Sequence, residues 1–112
     1  MKVIVTGATG MVGEAVLMEC LNNETVSAVL IINRRTAGIT HPKLKELLVP
    51  DFTKLDEFNE AIKGYDACFF CAGISSIGMS EEKYTYITYD TTIAFAKTLQ
   101  QVNSNMVFCY VT

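Results

Sequence analysis

Val3-Ile4-Val5-Thr6-Gly7-Ala8-Thr9-Gly10-Met11-Val12-Gly13 stands at the very start of the chain, and its reading decides the rest. Four β-branched residues in a row favour a strand, and Glu14 to Leu21 continues as an amphipathic helix. Between them lie three glycines spaced by three. Gly7 lets the chain reverse after the strand, Gly10 lets backbone N–H groups approach an anion with no Cβ in the way, and Gly13 lets the helix pack tightly on the sheet. Phosphates then sit at the helix N-terminus, facing N–H groups without intrahelical partners and about +0.5 of macrodipole charge. The stretch reads as a pyrophosphate cradle for a dinucleotide, with Gly7, Thr9, Gly10, Met11, Val12 and Gly13 as its contact residues. The plainer alternative is an ordinary strand-to-helix turn.

Beyond the cradle, strand and helix patterns alternate. Strands are predicted at Lys2 to Thr6, Ala28 to Asn33, Glu46 to Val49, Ala67 to Cys71 and Met106 to Val111. Helices are predicted at Met11 to Leu21, Leu55 to Ile62 and Glu81 to Val102, with room for one turn between Pro42 and Leu47. Lys63-Gly64 closes the second helix, and Ser80 followed by Glu81 and Glu82 opens the third as a cap with acidic first-turn residues. On that third helix Ile87, Thr91, Ala94, Phe95, Thr98, Leu99 and Val102 fall on one face, a stripe suited to packing on a sheet. The alternation implies a parallel sheet with right-handed crossovers.

The 112 residues make a single domain, half of them hydrophobic, in short β-branched runs that suit strands covered on both faces. Net charge is -3, and the only basic pair is Arg34-Arg35, so no footprint for nucleic acid or an anionic membrane surface is visible. The N-terminus carries one Lys and a short apolar run, too little for a signal peptide, and nothing approaches the roughly 20 apolar residues of a membrane span. A cytoplasmic protein is expected. The four cysteines, Cys20, Cys68, Cys71 and Cys109, fall in predicted helix or strand and are expected as reduced, buried thiols. Cys68 and Cys71 are three apart in a strand and so point to opposite faces, which argues against a redox pair or a metal site. His41, the only histidine, lies beside Pro42 with no ligand set around it, so no metal is expected.

In a dinucleotide site an acidic residue about 20 positions past the glycines holds the adenosine ribose hydroxyls. Here that place reads Asn33-Arg34-Arg35. Guanidinium groups pair bidentately with a 2′-phosphate and stack on adenine, so NADP is favoured over NAD.

With the motifs Thr6-Gly7-Ala8-Thr9-Gly10-Met11-Val12-Gly13, Asn33-Arg34-Arg35, Asp51-Phe52 and Cys71-Ala72-Gly73, the chain resembles the short-chain dehydrogenase/reductase superfamily over its whole length. The resemblance is to its extended or atypical branch, which holds bacterial nucleoside-diphosphate-sugar epimerase-like proteins and the Tat-interacting-protein type of NADP-binding proteins. It implies a three-layer Rossmann-type parallel sheet of order 3-2-1-4-5, truncated after the fifth strand, and an NAD(P)-binding domain over residues 1–112 without the C-terminal substrate portion. It also implies that Asp51 accepts from the adenine amino group with Phe52 beside the ring, and that Ala72 and Gly73, after Cys71, lie along the nicotinamide ribose. Asp51 reads equally well as the cap of the segment from Thr53 onward.

Two departures from the superfamily pattern stand out. Tyr89-Asp90 replaces a Val-Asn pair in the long helix, and the catalytic Ser or Thr and the Tyr-x-x-x-Lys pair would fall past Thr112. None of Tyr84, Tyr86 and Tyr89 has Lys four residues on, so no catalytic residue is assigned within the chain. The expectation is the NADP(H)-binding portion of a reductase or epimerase, inactive by itself. The alternatives are a non-catalytic NADP(H)-sensing module and a self-associating fragment without strong ligand binding. A homodimer or other homo-oligomer is expected.

Overall fold

The computed structural model of the chain describes residues 1–8, 10–34, 36, 38–71 and 81–110, with the backbone alone over 81–90. Strands β1 (Lys2–Thr6), β2 (Ala28–Asn33), β3 (Leu44–Leu48), β4 (Ala67–Phe70) and β5 (Val107–Tyr110) form one sheet. All pairings are parallel and the order is β3-β2-β1-β4-β5, a Rossmann-type arrangement. Helix α1 (Met11–Asn22) crosses between β1 and β2, a 3₁₀ segment (Phe52–Phe58) and α2 (Asn59–Ile62) between β3 and β4, and α3 (Glu81–Val102) between β4 and β5.

Alternation along the strands divides the core into two. Ile4, Leu30, Ile32, Cys68 and Phe70 pack with Phe52, Leu55, Ile62, Phe95 and Leu99 on the α3 side. Val3, Val5, Val29 and Ile31 pack with Leu17, Leu21 and Val26 on the α1 side. Buried positions in α1 are Gly13, Leu17, Cys20 and Leu21, spaced as one face of a helix requires. The α3 stripe is seated through buried Phe95 and Leu99, with Val102 partly buried, while the side chain of Ile87 lies outside the described residues.

Two predicted elements and the setting of one cysteine differ. The segment expected as a helix from Leu55 is 3₁₀ from Phe52, kinked at Lys54, with only one α-turn after it. Its apolar residues Phe52, Leu55 and Phe58 recur every three, the period at which side chains of a 3₁₀ helix eclipse. The third strand begins at Leu44 instead of Glu46, because a turn at Pro42-Lys43 delivers Leu44 opposite Val29. At its far end Val49 N still donates to Asn33 O at 2.9 Å. Cys109 is exposed and not buried, since β5 is an edge strand with no helix over its α1 side among the described residues. All four cysteines are free thiols, and burial pushes those of Cys20, Cys68 and Cys71 up. Ser80, Val111 and Thr112 lie outside the described residues, as do the side chains of Glu81, Glu82, Tyr84, Tyr86, Tyr89 and Asp90.

Candidate functional site

β1 is bonded to β2 on one side and β4 on the other, and the connections leave it over opposite faces. The crevice beyond its carboxyl end is therefore the switch point at which open parallel sheets take ligands. Thr6-Gly7, Asn33-Arg34, Val49 to Phe52 and Cys71 all reach that edge.

At the turn after β1, Gly7 has φ +70° and its carbonyl accepts from Gly10 N at 3.0 Å. A Cβ on Gly13 would stand 1.8 Å from Gly7 O and 2.5 Å from Gly7 C, backbone atoms that cannot move aside. The third glycine is thus what allows α1 to abut the strand end. A Cβ on Gly10 would meet only Gly7 O, at an ordinary 3.5 Å. Gly10 is the N-cap of α1, in extended conformation and with no side-chain cap. The first N–H groups of the helix, from Met11 through Gly13, thus have no intrahelical acceptor and face the crevice edge. The Met11 side chain itself is 89% exposed. Thr9 lies outside the described residues.

Asn33 ends β2 with its side chain buried, and its Nδ2 donates to Glu46 Oε2 at 3.3 Å. Sequence reasoning passed over Glu46, because only the register of β3 on β2 brings it there. Arg34 turns the other way, its guanidinium 5.4 Å from the centre of the Phe52 ring. Arg35 lies outside the described residues.

Phe52, expected beside an adenine, is only 4% exposed. It packs on Phe95 and Phe70 with ring centres at 5.2 and 6.4 Å, so Arg34 and not the ring forms the surface there. Asp51 caps the 3₁₀ segment: its Oδ1 accepts from Thr53 N at 2.9 Å and Thr53 Oγ1 at 2.6 Å. Those two bonds hold its carboxyl below the usual carboxylate range, with weaker help from Lys54 and Arg34. Oδ2 takes part in neither bond. Cys71 N donates to Thr6 Oγ1 at 3.0 Å, tying the exits of β4 and β1 together. Ala72 and Gly73 lie outside the described residues. No group of three or more metal-ligating side chains occurs among the described residues, and none of their helices is long and apolar enough to cross a membrane.

Known proteins share this arrangement. The chain is 35% identical to protein HTATIP2 of Rattus norvegicus over 74 residues, covering 64% of this chain and 31% of that protein. It is 28% identical to leucinostatins biosynthesis cluster protein T of Purpureocillium lilacinum over its whole length and 42% of that protein. A candidate epimerase from Bacteroides thetaiotaomicron superposes with a TM-score of 0.70 at 26% identity, over 97% of this chain and 45% of that one. Uronate dehydrogenase of Agrobacterium tumefaciens, a variant of which was crystallised with NAD, shares the fold at TM-score 0.70 and 18% identity, over 96% of this chain and 39% of its own. The chain spans less than half the length of each of these. The profile of the NAD dependent epimerase/dehydratase family matches residues 3–110, and on that match, over the glycine turn and all five strands, the chain belongs to this family.

Proposed function

We propose that the chain binds NADP(H) as the cofactor-binding portion of a reductase or epimerase-like member of its family. The observation that carries the reading is the Gly7–Gly13 contact, in which backbone atoms leave no room for a Cβ and the uncapped start of α1 is held at the switch-point crevice. Met11, Val12 and Gly13 would offer N–H groups to the diphosphate. Asp51 would meet the adenine amino group, and Cys71, Ala72 and Gly73 would run along the nicotinamide ribose. Arg34 and Arg35 support NADP, because a guanidinium is the natural partner of a 2′-phosphate. When bound, the nicotinamide would supply the hydride chemistry, and the residues assigned here only hold and orient it.

In this reading the acid and base of the reaction are not among residues 1–112, and the chain binds without turnover. It works in the cytoplasm and self-associates.

Titration with NADPH tests the binding. The wild type is expected to bind, whereas Gly10→Val, whose Cβ would stand at an ordinary 3.5 Å from Gly7 O, is expected to lose binding because the new side chain blocks the approach to the N–H groups. Undiminished affinity in that variant would remove the cradle. Calorimetry on Arg34→Ala/Arg35→Ala is expected to weaken NADPH about tenfold or more relative to NADH, and equal losses would remove the NADP preference.

A further inference from the structure

We propose that Phe52 is a positioning residue that fixes the Arg34 guanidinium for a ribose 2′-phosphate, an inference that rests on the dinucleotide reading of the site and on the role given there to Arg34. The exits of β2 and β3 lie side by side, with Val49 N donating to Asn33 O at 2.9 Å. Arg34 follows directly on Asn33, and Phe52 stands three residues past Val49. The 5.4 Å contact between the Arg34 guanidinium and the Phe52 ring thus bridges the two exits. The end of β2 is where a dinucleotide's ribose 2′ position is read, and Asp51, beside Phe52, is the residue proposed for the adenine amino group. The contact stands where the adenosine half would be held.

Phe52 is a firm support. Its ring is 4% exposed and packs on Phe95 and Phe70, and Asp51 before it is pinned by its two bonds from Thr53. Arg34 is exposed, and an arginine gives up among the largest rotamer entropies of any side chain when it is ordered. Resting on a closely packed ring, the guanidinium has part of that ordering done before a ligand arrives. A contact to a ring face uses none of its five N–H donors, so all of them stay available to phosphate oxygens. Asp51 is the competing attraction, but its Oδ1 is engaged by Thr53, and Arg34 is the weakest of the influences on that carboxyl. The ring, and not the carboxylate, sets the place of the guanidinium.

A cation over an aromatic ring at an exposed site is worth about two- to fivefold in an equilibrium constant. NADPH, whose 2′-phosphate draws on the guanidinium, should feel that loss when the ring is removed. NADH, with a hydroxyl at the same position, should feel little of it.

The test is a double-mutant cycle on Arg34 and Phe52, read as the ratio of NADPH to NADH affinity, which a general loss of stability does not move. Arg34→Ala is expected to lower the ratio more than about fivefold. Phe52→Leu is expected to lower it about two- to fivefold, and to lower it no further in the Arg34→Ala background. Phe52→Met, whose flexible apolar chain fills more of the gap in the core, takes the place of Phe52→Leu if that variant does not fold. An unmoved ratio in the Phe52 variant would overturn the proposal, and so would an equal fall with and without Arg34, which would make Phe52 a part of the core and nothing more. An unmoved ratio in Arg34→Ala would remove the role of Arg34, and wild type that binds neither nucleotide would remove the dinucleotide reading. Either result overturns the proposal as well, and each is distinct from a ratio that answers to Arg34 but not to Phe52.

Discussion

Gly10 and Gly13 look alike in the sequence, yet a side chain would cost something different at each. At Gly13 the obstacle is the backbone of Gly7, with a Cβ 1.8 Å from its carbonyl oxygen, so even alanine must push α1 off the end of β1. Gly13→Ala is expected to destabilise the fold by about 1 to 3 kcal/mol, the cost of overpacking a tight contact. Chemical denaturation would read this as a lower midpoint at unchanged slope, and an unaltered midpoint would mean that the turn relaxes freely. At Gly10 the neighbour stands at 3.5 Å and φ is ordinary, so neither contact nor backbone conformation demands a glycine there, and the proposed approach of a diphosphate is what would use one. The distinction was not legible in the spacing of the glycines, which treats the three alike. It needs the positions of Gly7 O and the start of α1.

Between elements, a single buried amide ties the end of α3 to the turn between α2 and β4. Asn103, just past α3, accepts from Gly64 N at 2.7 Å and Tyr65 N at 3.2 Å, and donates to Ile62 O at 2.8 Å. It thereby satisfies the backbone where α2 ends and the chain turns through Gly64, whose φ is +89°, into β4. Asn103→Ala would strand two N–H groups and a carbonyl in a largely dry joint, and is expected to lower stability by about 2 to 4 kcal/mol. Thermal unfolding would check it, and a loss below about 0.5 kcal/mol would mean that water replaces the amide. The elements themselves were largely legible, because β1, β2 and β4 are β-branched or apolar runs buried on both faces and α3 carries a long stripe. The misread pieces are those whose form depends on neighbours. β3 is a half-exposed edge strand with little apolar signal, and the 3₁₀ segment is set by the Asp51 cap and the three-residue spacing of Phe52, Leu55 and Phe58. For the same reason the glycine turn after β1 and the end of β2 could be placed in advance, while the Asn33–Glu46 pair and the burial of Phe52 could not. Pairing register and core packing relate residues that no sequence spacing connects.

Across the whole molecule the two faces of the sheet are unequally covered. On the α3 side, Phe108 and Tyr110 of β5 reach the aromatic core, with ring centres 5.7 and 5.9 Å from Phe70. On the α1 side the helix covers β1 and β2, leaving Phe69 half-buried, Val107 65% exposed and Cys109 exposed. Beside them an open groove of about 480 Å³ is lined by Val3, Val16, Cys20, Val26, Phe69 and Cys109. It runs along the body of α1, away from the glycine turn. Among the described residues β5 pairs only with β4, so its outer edge offers a row of backbone donors and acceptors next to apolar side chains. Such an edge is a template for a second chain, and a two-fold pair is the simplest closed form. Sedimentation equilibrium at micromolar concentration is therefore expected to give a mass that rises toward the dimer. Val107→Lys, which puts a charge on that strand away from the crevice at the carboxyl end of β1, is expected to return the monomer. A wild-type mass that stays monomeric over a hundredfold range of concentration would mean that the edge is protected. A dimer unmoved by Val107→Lys would place the contact on α3 instead.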